Sequence, residues 1–160
     1  MSLLRTDKEI TEIYNRHVNT VYRVCYSFMK NQTDTEDLVQ ETFLRLLSYG
    51  KRFESEKHEK AWLIVTASNL CKDSLKKWWR KAEDIEDPSL QLSQPPHETN
   101  EVLAAILELP AEYKTVVYMH YYEGYTTSEI ASFQHTPHAT VRSRLMRARK
   151  MLKNKLGGDF

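Results

Sequence analysis

TTSEIASFQHTPHATVRSRLMRARKML, Thr126 to Leu152, reads as two helices around a turn. Thr126 and Glu129 have the spacing of a capping box, which opens the short helix TSEIASF. Gln134, His135 and Thr136 form the turn. Thr136 suits an N-cap and Pro137 the first helical position, where a missing N–H costs nothing. In the second helix Val141, Leu145, Ala148, Leu152 and Leu156 step by three and four and make one apolar face. Ile130 and Ala131 supply the facing contact, and the small Ala131 permits close approach. A short helix, a turn and a basic helix make a helix-turn-helix.

The basic residues lie off that apolar face. Thr140 to Leu156 holds seven Lys and Arg and no acid, while the rest of the 160-residue chain carries six more acids than bases. The net charge of +1 therefore conceals a polarised molecule, and such asymmetry points to a nucleic-acid or acidic-surface contact at one end. A basic helix in the major groove neutralises phosphates and releases counterions. Arg142 and Ser143, one turn inside the helix, are placed to meet base edges, with Met146 one turn on as an apolar contact. Arg144, Arg147 and Arg149 are placed for phosphates.

Composition narrows the rest. Hydrophobic residues at 41% and charged residues at 28% permit packed cores and exclude a disordered chain. Only four glycines occur, against a turn-rich β fold or a glycine-rich phosphate loop. No stretch approaches the ~20 apolar residues that span a bilayer. MSLLRTDKEI lacks an apolar signal core, so the expected compartment is the cytoplasm. Cys25 and Cys71 have no metal-ligand spacing and fall on apolar seams, so they are expected in the core. The six histidines show no His-x-x-x-His pattern and no paired carboxylates accompany them. An enzyme, a metal or a cofactor is not expected.

Helical periodicity runs through the chain. Lys8 to Met29 reads as one helix with the seam Ile10, Tyr14, Val18, Val21, Cys25 and Phe28. Thr33 and Glu36 suggest a capping box for a second helix that ends about Tyr49, where Gly50 suits its stop. On it Val39, Phe43, Leu46 and Leu47 form the core side, and Asp37, Gln40, Glu41 and Leu44 the opposite side. KRFESEKHEK, residues 51–60, reads as a loop. A third helix from about Glu59 carries the seam Ile64, Ser68, Cys71, Leu75 and Trp78, with Asn69, Lys72, Asp73, Lys76 and Arg80 on another face. EDIEDPSLQLSQPPHETN is acidic, then polar with prolines, and reads as a flexible linker. Beyond it Val102, Ile106 and Leu109 open the second domain. Pro110 stands at a first-turn position, and Val116, Val117, Met119 and Tyr121 belong to a helix that Gly124 ends. The expected fold is all-α: two small helical domains, 1–82 and 101–160, joined by the linker 83–100, the second a helix-turn-helix.

Two segments in separate domains resemble one family. LPAEYKTVVYMHYYEGYTTSEIASF, followed by TVRSRLMRARKML, resembles region 4 of bacterial sigma-70 factors. DTEDLVQETFLRLL resembles region 2.2, and residues 51–81 resemble regions 2.3 and 2.4. Their order and short linker are those of the extracytoplasmic-function (ECF) group. The resemblance implies a transcription initiation factor that binds core RNA polymerase and directs it to −10 and −35 promoter elements. It implies docking on the β′ clamp helices through Asp37, Gln40, Glu41, Phe43 and Leu44, and docking of region 4 on the β flap. It implies −10 contacts from Phe53, Ser55, Lys57 and His58 in a base-receiving loop. Asn69, Lys72, Asp73, Lys76, Lys77 and Arg80 would add −10 contacts from the third helix. The −35 contacts would come from His138, Thr140, Arg142, Ser143, Arg144, Met146, Arg147 and Arg149. An anti-sigma factor is the further partner implied. Trp62 is expected to be structural, Trp78 to be core, and Trp79 to lie off the seam.

The turn departs from the family pattern. Leu-Gly and an aliphatic residue are usual where Gln134, His135 and Thr136 stand, so an apolar plug is lost and His must take a left-handed conformation. The competing reading is a helix-turn-helix regulator that binds duplex DNA without polymerase.

Overall fold

The computed structural model describes residues 5–82 and 101–157. Every regular element among them is helical. The chain divides into two compact units between Ser93 and Gln94. The linker expected over 83–100 lies outside the described residues.

The first unit holds α1 (Asp7–Met29), α2 (Gln32–Ser48) and α3 (Glu56–Ala82). Thr6 caps α1, its hydroxyl accepting from the Glu9 N–H at 3.2 Å. Lys30 ends the helix in the left-handed region at φ 60°. Asn31, and not Thr33, caps α2, its side-chain oxygen accepting from the Asp34 N–H at 2.8 Å. Asn binds its own nearby backbone as readily as Thr does, and here it comes first in the chain. Ser55 performs the same service for α3, accepting from the His58 N–H at 3.1 Å, so that helix starts three residues earlier than expected.

The three helices pack on one another around Val21, Val24, Phe28, Val39, Leu46, Leu63 and Ile64. Each such side chain removed from water contributes about 1.5–3 kcal/mol. Cys25 and Cys71 are both buried, as core residues. The α1 seam is rotated from the one expected. Ile13, His17 and Thr20 are buried, while Tyr14 is exposed and Ile10 and Val18 are half-buried. His17 can be buried because Glu59 of α3 meets its Nε2 at 2.8 Å, and Arg16 reaches the same carboxylate oxygen at 2.9 Å. Leu47 is also misplaced by the pattern and stands at the surface. Leu75 and Trp78 are half-buried, so the α3 seam loosens towards its end.

The second unit holds α4 (Glu101–Leu107), α5 (Ala111–Val117), a π-helical turn over Tyr118–Tyr122, α6 (Thr127–Gln134) and α7 (His138–Leu156). Ile106 and Leu109 are buried as expected; the Val102 side chain lies outside the described set. Pro110 is the N-cap of α5 rather than its first residue, its carbonyl accepting from the Tyr113 N–H at 3.0 Å. The π turn was not foreseen. There the Glu123 N–H reaches back five residues to the Tyr118 carbonyl at 3.1 Å. Such turns insert one residue and re-aim the side chains around them.

The capping box of α6 is present in both directions: the Thr126 hydroxyl accepts from Glu129 N–H, and the Glu129 carboxylate from Thr126 N–H. His135 adopts φ 53°, ψ 43°. The Thr136 N–H bonds the Ala131 carbonyl at 3.0 Å and the His135 N–H the Ser132 carbonyl at 3.3 Å, the paired bonds of a Schellman stop. Pro137, one place later than Thr136, is the N-cap of α7. Val141, Leu145, Ala148 and Leu152 are buried, with Leu156 half-buried, and Ile130 and Ala131 face them from α6.

Candidate nucleic-acid and protein interfaces

The first candidate surface is the outer side of α2. Asp37 and Gln40 are exposed, and Leu44 is 48% exposed. Glu41 sits 3.5 Å from Arg45, one turn on. Phe43 is turned away from this surface: it is 7% exposed and meets the Tyr14 ring edge-on, with centroids 4.9 Å apart. Leu47, 36% exposed, takes its place. Gln40, Leu44 and Leu47 step by four and three, a spacing that could have revealed the stripe. Leu46, buried next to it, drew the pattern one residue out of phase. Two leucines among polar neighbours suit a protein partner, whereas the acid side chains oppose DNA.

The second surface is the α2–α3 loop with α3. Here Arg5 was missed by sequence reasoning. Its guanidinium donates to the carbonyls of Tyr49 at 3.0 Å and Lys51 at 2.6 Å, and lies 4.7 Å from the Phe53 ring centroid. Burial, then the neighbouring Arg52, lowers its pKa from the usual arginine value. Phe53 stacks on Tyr49 at 5.4 Å and leans on Trp62 at 5.7 Å, while His58 meets its edge at 5.3 Å. His58 Nδ1 also accepts from the Glu54 N–H at 3.2 Å. Phe53, Ser55 and His58 thus hold the loop in shape, and Trp62 is structural as expected. Lys57 is exposed at the loop's edge. On α3, Asn69, Asp73, Lys76, Lys77 and Arg80 are exposed and Lys72 is half-buried. Trp79 beside them is 63% exposed and meets Trp78 edge-on at 4.8 Å.

The third surface is α7. Arg142, Arg147 and Arg149 are exposed, Met146 is 56% exposed, and Thr140, Ser143 and Arg144 are half-buried. His138 is exposed, with Nε2 2.7 Å from the Thr127 hydroxyl, so it ties the start of α7 to the start of α6. None of the ion pairs among the described residues involves these four arginines. Among the described residues their charge is therefore not offset by a carboxylate contact. Arg149 lies 5.8 Å over the Tyr121 ring, and the two help line a cleft of about 200 Å³ against the π turn.

Residues 13–81 match the sigma-70 region 2 family, and residues 99–152 the sigma-70 region 4 family. The chain is 32% identical over 152 residues to the ECF RNA polymerase sigma factor SigM of Bacillus subtilis (strain 168), across 90% of this chain and 93% of that one. This chain belongs to the ECF sigma factors. SigV of the same organism, an RNA polymerase sigma factor, is 28% identical over 144 residues, covering 88% and 86% of the two chains. The same fold recurs in the sigma factor RpoE, solved in complex with the anti-sigma factor NepR from Bartonella quintana. There the TM-score is 0.74 at 20% identity, over 94% of this chain and 99% of that one. As a sigma factor the protein is a non-catalytic regulator of transcription initiation. Among the described residues no helix is long and apolar enough to cross a membrane.

Proposed function

We propose that this sigma factor works in the cytoplasm, recruits core RNA polymerase through α2, and recognises a −10 element with α3 and a −35 element with α7. The observation that carries the reading is the separation of charge in a sigma-70 member. A leucine-bearing acidic face lies on α2, and a row of arginines without carboxylate partners among the described residues lies on α7. On α2, Asp37, Gln40, Glu41, Leu44 and Leu47 meet the β′ clamp helices, with Phe43 behind them as support. On α3, Lys72, Lys76, Lys77 and Arg80 hold phosphates, and Asn69 and Asp73 offer hydrogen bonds to the opened strand, with Lys57 at the loop. A basic groove with base contacts is sufficient for a single strand. On α7, Arg142, Ser143 and Met146 meet bases, and Arg144, Arg147 and Arg149 meet phosphates. The second unit also docks on the β flap, and an anti-sigma factor covers the polymerase-binding surfaces when the protein is held inactive.

Run-off transcription with core polymerase over a promoter library tests this. The expected result is a transcript only when the protein is present, from templates sharing two short elements. Binding to duplex DNA with no recruitment of core polymerase would instead select a stand-alone helix-turn-helix regulator.

A further inference from the structure

Two open clefts lie on the described surface, and their electrostatics differ. The one beside α1 is lined by Arg5, Arg16 and Arg52 together with Glu9, Glu12 and Glu59. It neutralises itself, through Arg16–Glu59 at 2.9 Å and Arg52–Glu9 at 3.1 Å. The cleft of about 200 Å³ between the π turn and α7 is lined by Arg142 and Arg149 and, among the described residues, by no carboxylate. Its walls therefore select for an anion.

That cleft is also built. The His120 Nδ1–H donates to the Tyr125 carbonyl at 2.9 Å. Its ring meets the Tyr121 ring edge-on, with centroids 4.9 Å apart, and Tyr121 in turn lies under the Arg149 guanidinium at 5.8 Å. The π turn supplies His120 and Tyr121 together, and such insertions concentrate at functional sites. Thr127, in the first turn of α6, lines the same cleft.

We propose that this cleft is the seat of one phosphate ester, a single backbone phosphodiester of the −35 duplex. Arg149 grips it, and Tyr121 is the positioning residue that holds Arg149. Arg142, two turns nearer the helix start, closes the other end of the cleft. The proposal rests on the −35 reading of α7 and adds to it Tyr121, outside that helix. It gives the helix-turn-helix one fixed point on the backbone, and phosphate contacts set register without reading sequence.

The test uses the full chain assembled with core polymerase on a promoter duplex, scanned one methylphosphonate at a time along the −35 backbone. In the wild type, neutralising one phosphate should weaken binding. At that position Arg149→Ala should be indifferent. Tyr121→Leu should lose a factor of about two to five in affinity, the worth of an exposed cation–π contact. Tyr121→Phe, which keeps the ring, should match the wild type, and the ranking of −35 sequences should not change in any variant. Equal sensitivity of wild type and Arg149→Ala at every phosphate overturns the seat. That comparison stands even should Tyr121→Leu fold poorly. A free phosphate ligand as occupant would show differently. Inorganic phosphate would raise the melting temperature of the wild-type chain and not of Arg149→Ala, with no methylphosphonate position singled out. That result also overturns the backbone assignment. A wild-type holoenzyme indifferent to the −35 sequence would sink the underlying reading instead.

Discussion

Gln134 and His135 make the α6–α7 turn a strained joint. The Gln134 side-chain oxygen is buried and has no hydrogen-bond partner among the described residues, a deficit of about 1–3 kcal/mol. His135 holds φ 53°, where a side chain costs about 1–2 kcal/mol relative to the right-handed region. Gln134→Leu should therefore raise the unfolding free energy of the second domain by about 1–2 kcal/mol. His135→Gly should help less, because glycine also loosens the unfolded chain. Urea titration of each variant checks this, and a lowered midpoint for Gln134→Leu would contradict the assignment. The arginines of α7 separate by role. Arg142→Ala should reorder which −35 sequences are transcribed. Arg147→Ala should weaken all of them alike and lower the slope of log affinity against log salt by roughly one. Transcription and binding over a −35 library at several salt concentrations distinguishes the two outcomes.

For the helices, legibility followed the partner. The capping box of α6 and the apolar stripe of α7 were readable because each is written in a run of local spacings, although the α7 cap falls on Pro137, one residue later than expected. The α1 seam was misread because α1 packs against both α2 and α3, which widens its buried arc to include polar residues. His17 and Thr20 are buried there, and His17 owes its place to Glu59, 42 residues away. No window on α1 contains that information. Leu47 was misread for the opposite reason: hydrophobicity was taken as burial, while its neighbours Gln40 and Leu44 mark an outward stripe. The double substitution Leu44→Ser, Leu47→Ser should leave helicity unchanged, since neither side chain belongs to the buried core. It should weaken core-polymerase affinity by about tenfold or more, as loss of central apolar contacts does at interfaces. Titration of labelled core polymerase measures it, and undiminished affinity would remove α2 from the interface. The π turn left no trace in the apolar period, because one inserted residue within two turns lies inside the scatter of any helical pattern.

At the scale of the molecule, two small cores in one chain imply two unfolding events. Chains with separate cores depart from all-or-none behaviour. Heating or urea should give two transitions with different midpoints, and Gln134→Leu should move one of them only. A single transition shifted as a whole would show that the units are energetically coupled. The polarity of charge along the chain was legible from the sequence, because the basic excess is confined to Thr140–Leu156 and the α2 motif lies before residue 82. Which residues shape the α2–α3 loop was not. Arg5 stands 44 positions from the carbonyl of Tyr49 that it binds, and Phe53, Ser55 and His58, read only for DNA contacts, also brace the loop.

The tryptophans give the molecule a built-in optical label. All three, Trp62, Trp78 and Trp79, precede the linker, and the second domain has none. Indole emission therefore reports on one half of the protein alone. Trp62, tilted against Tyr49 with ring centroids 4.7 Å apart under the loop, would register a change in loop shape. The outlying Trp79 would register whatever approaches the end of α3. Replacing Trp78 and Trp79 by Phe would leave a single fluorophore beside the loop, able to time promoter opening without any attached dye.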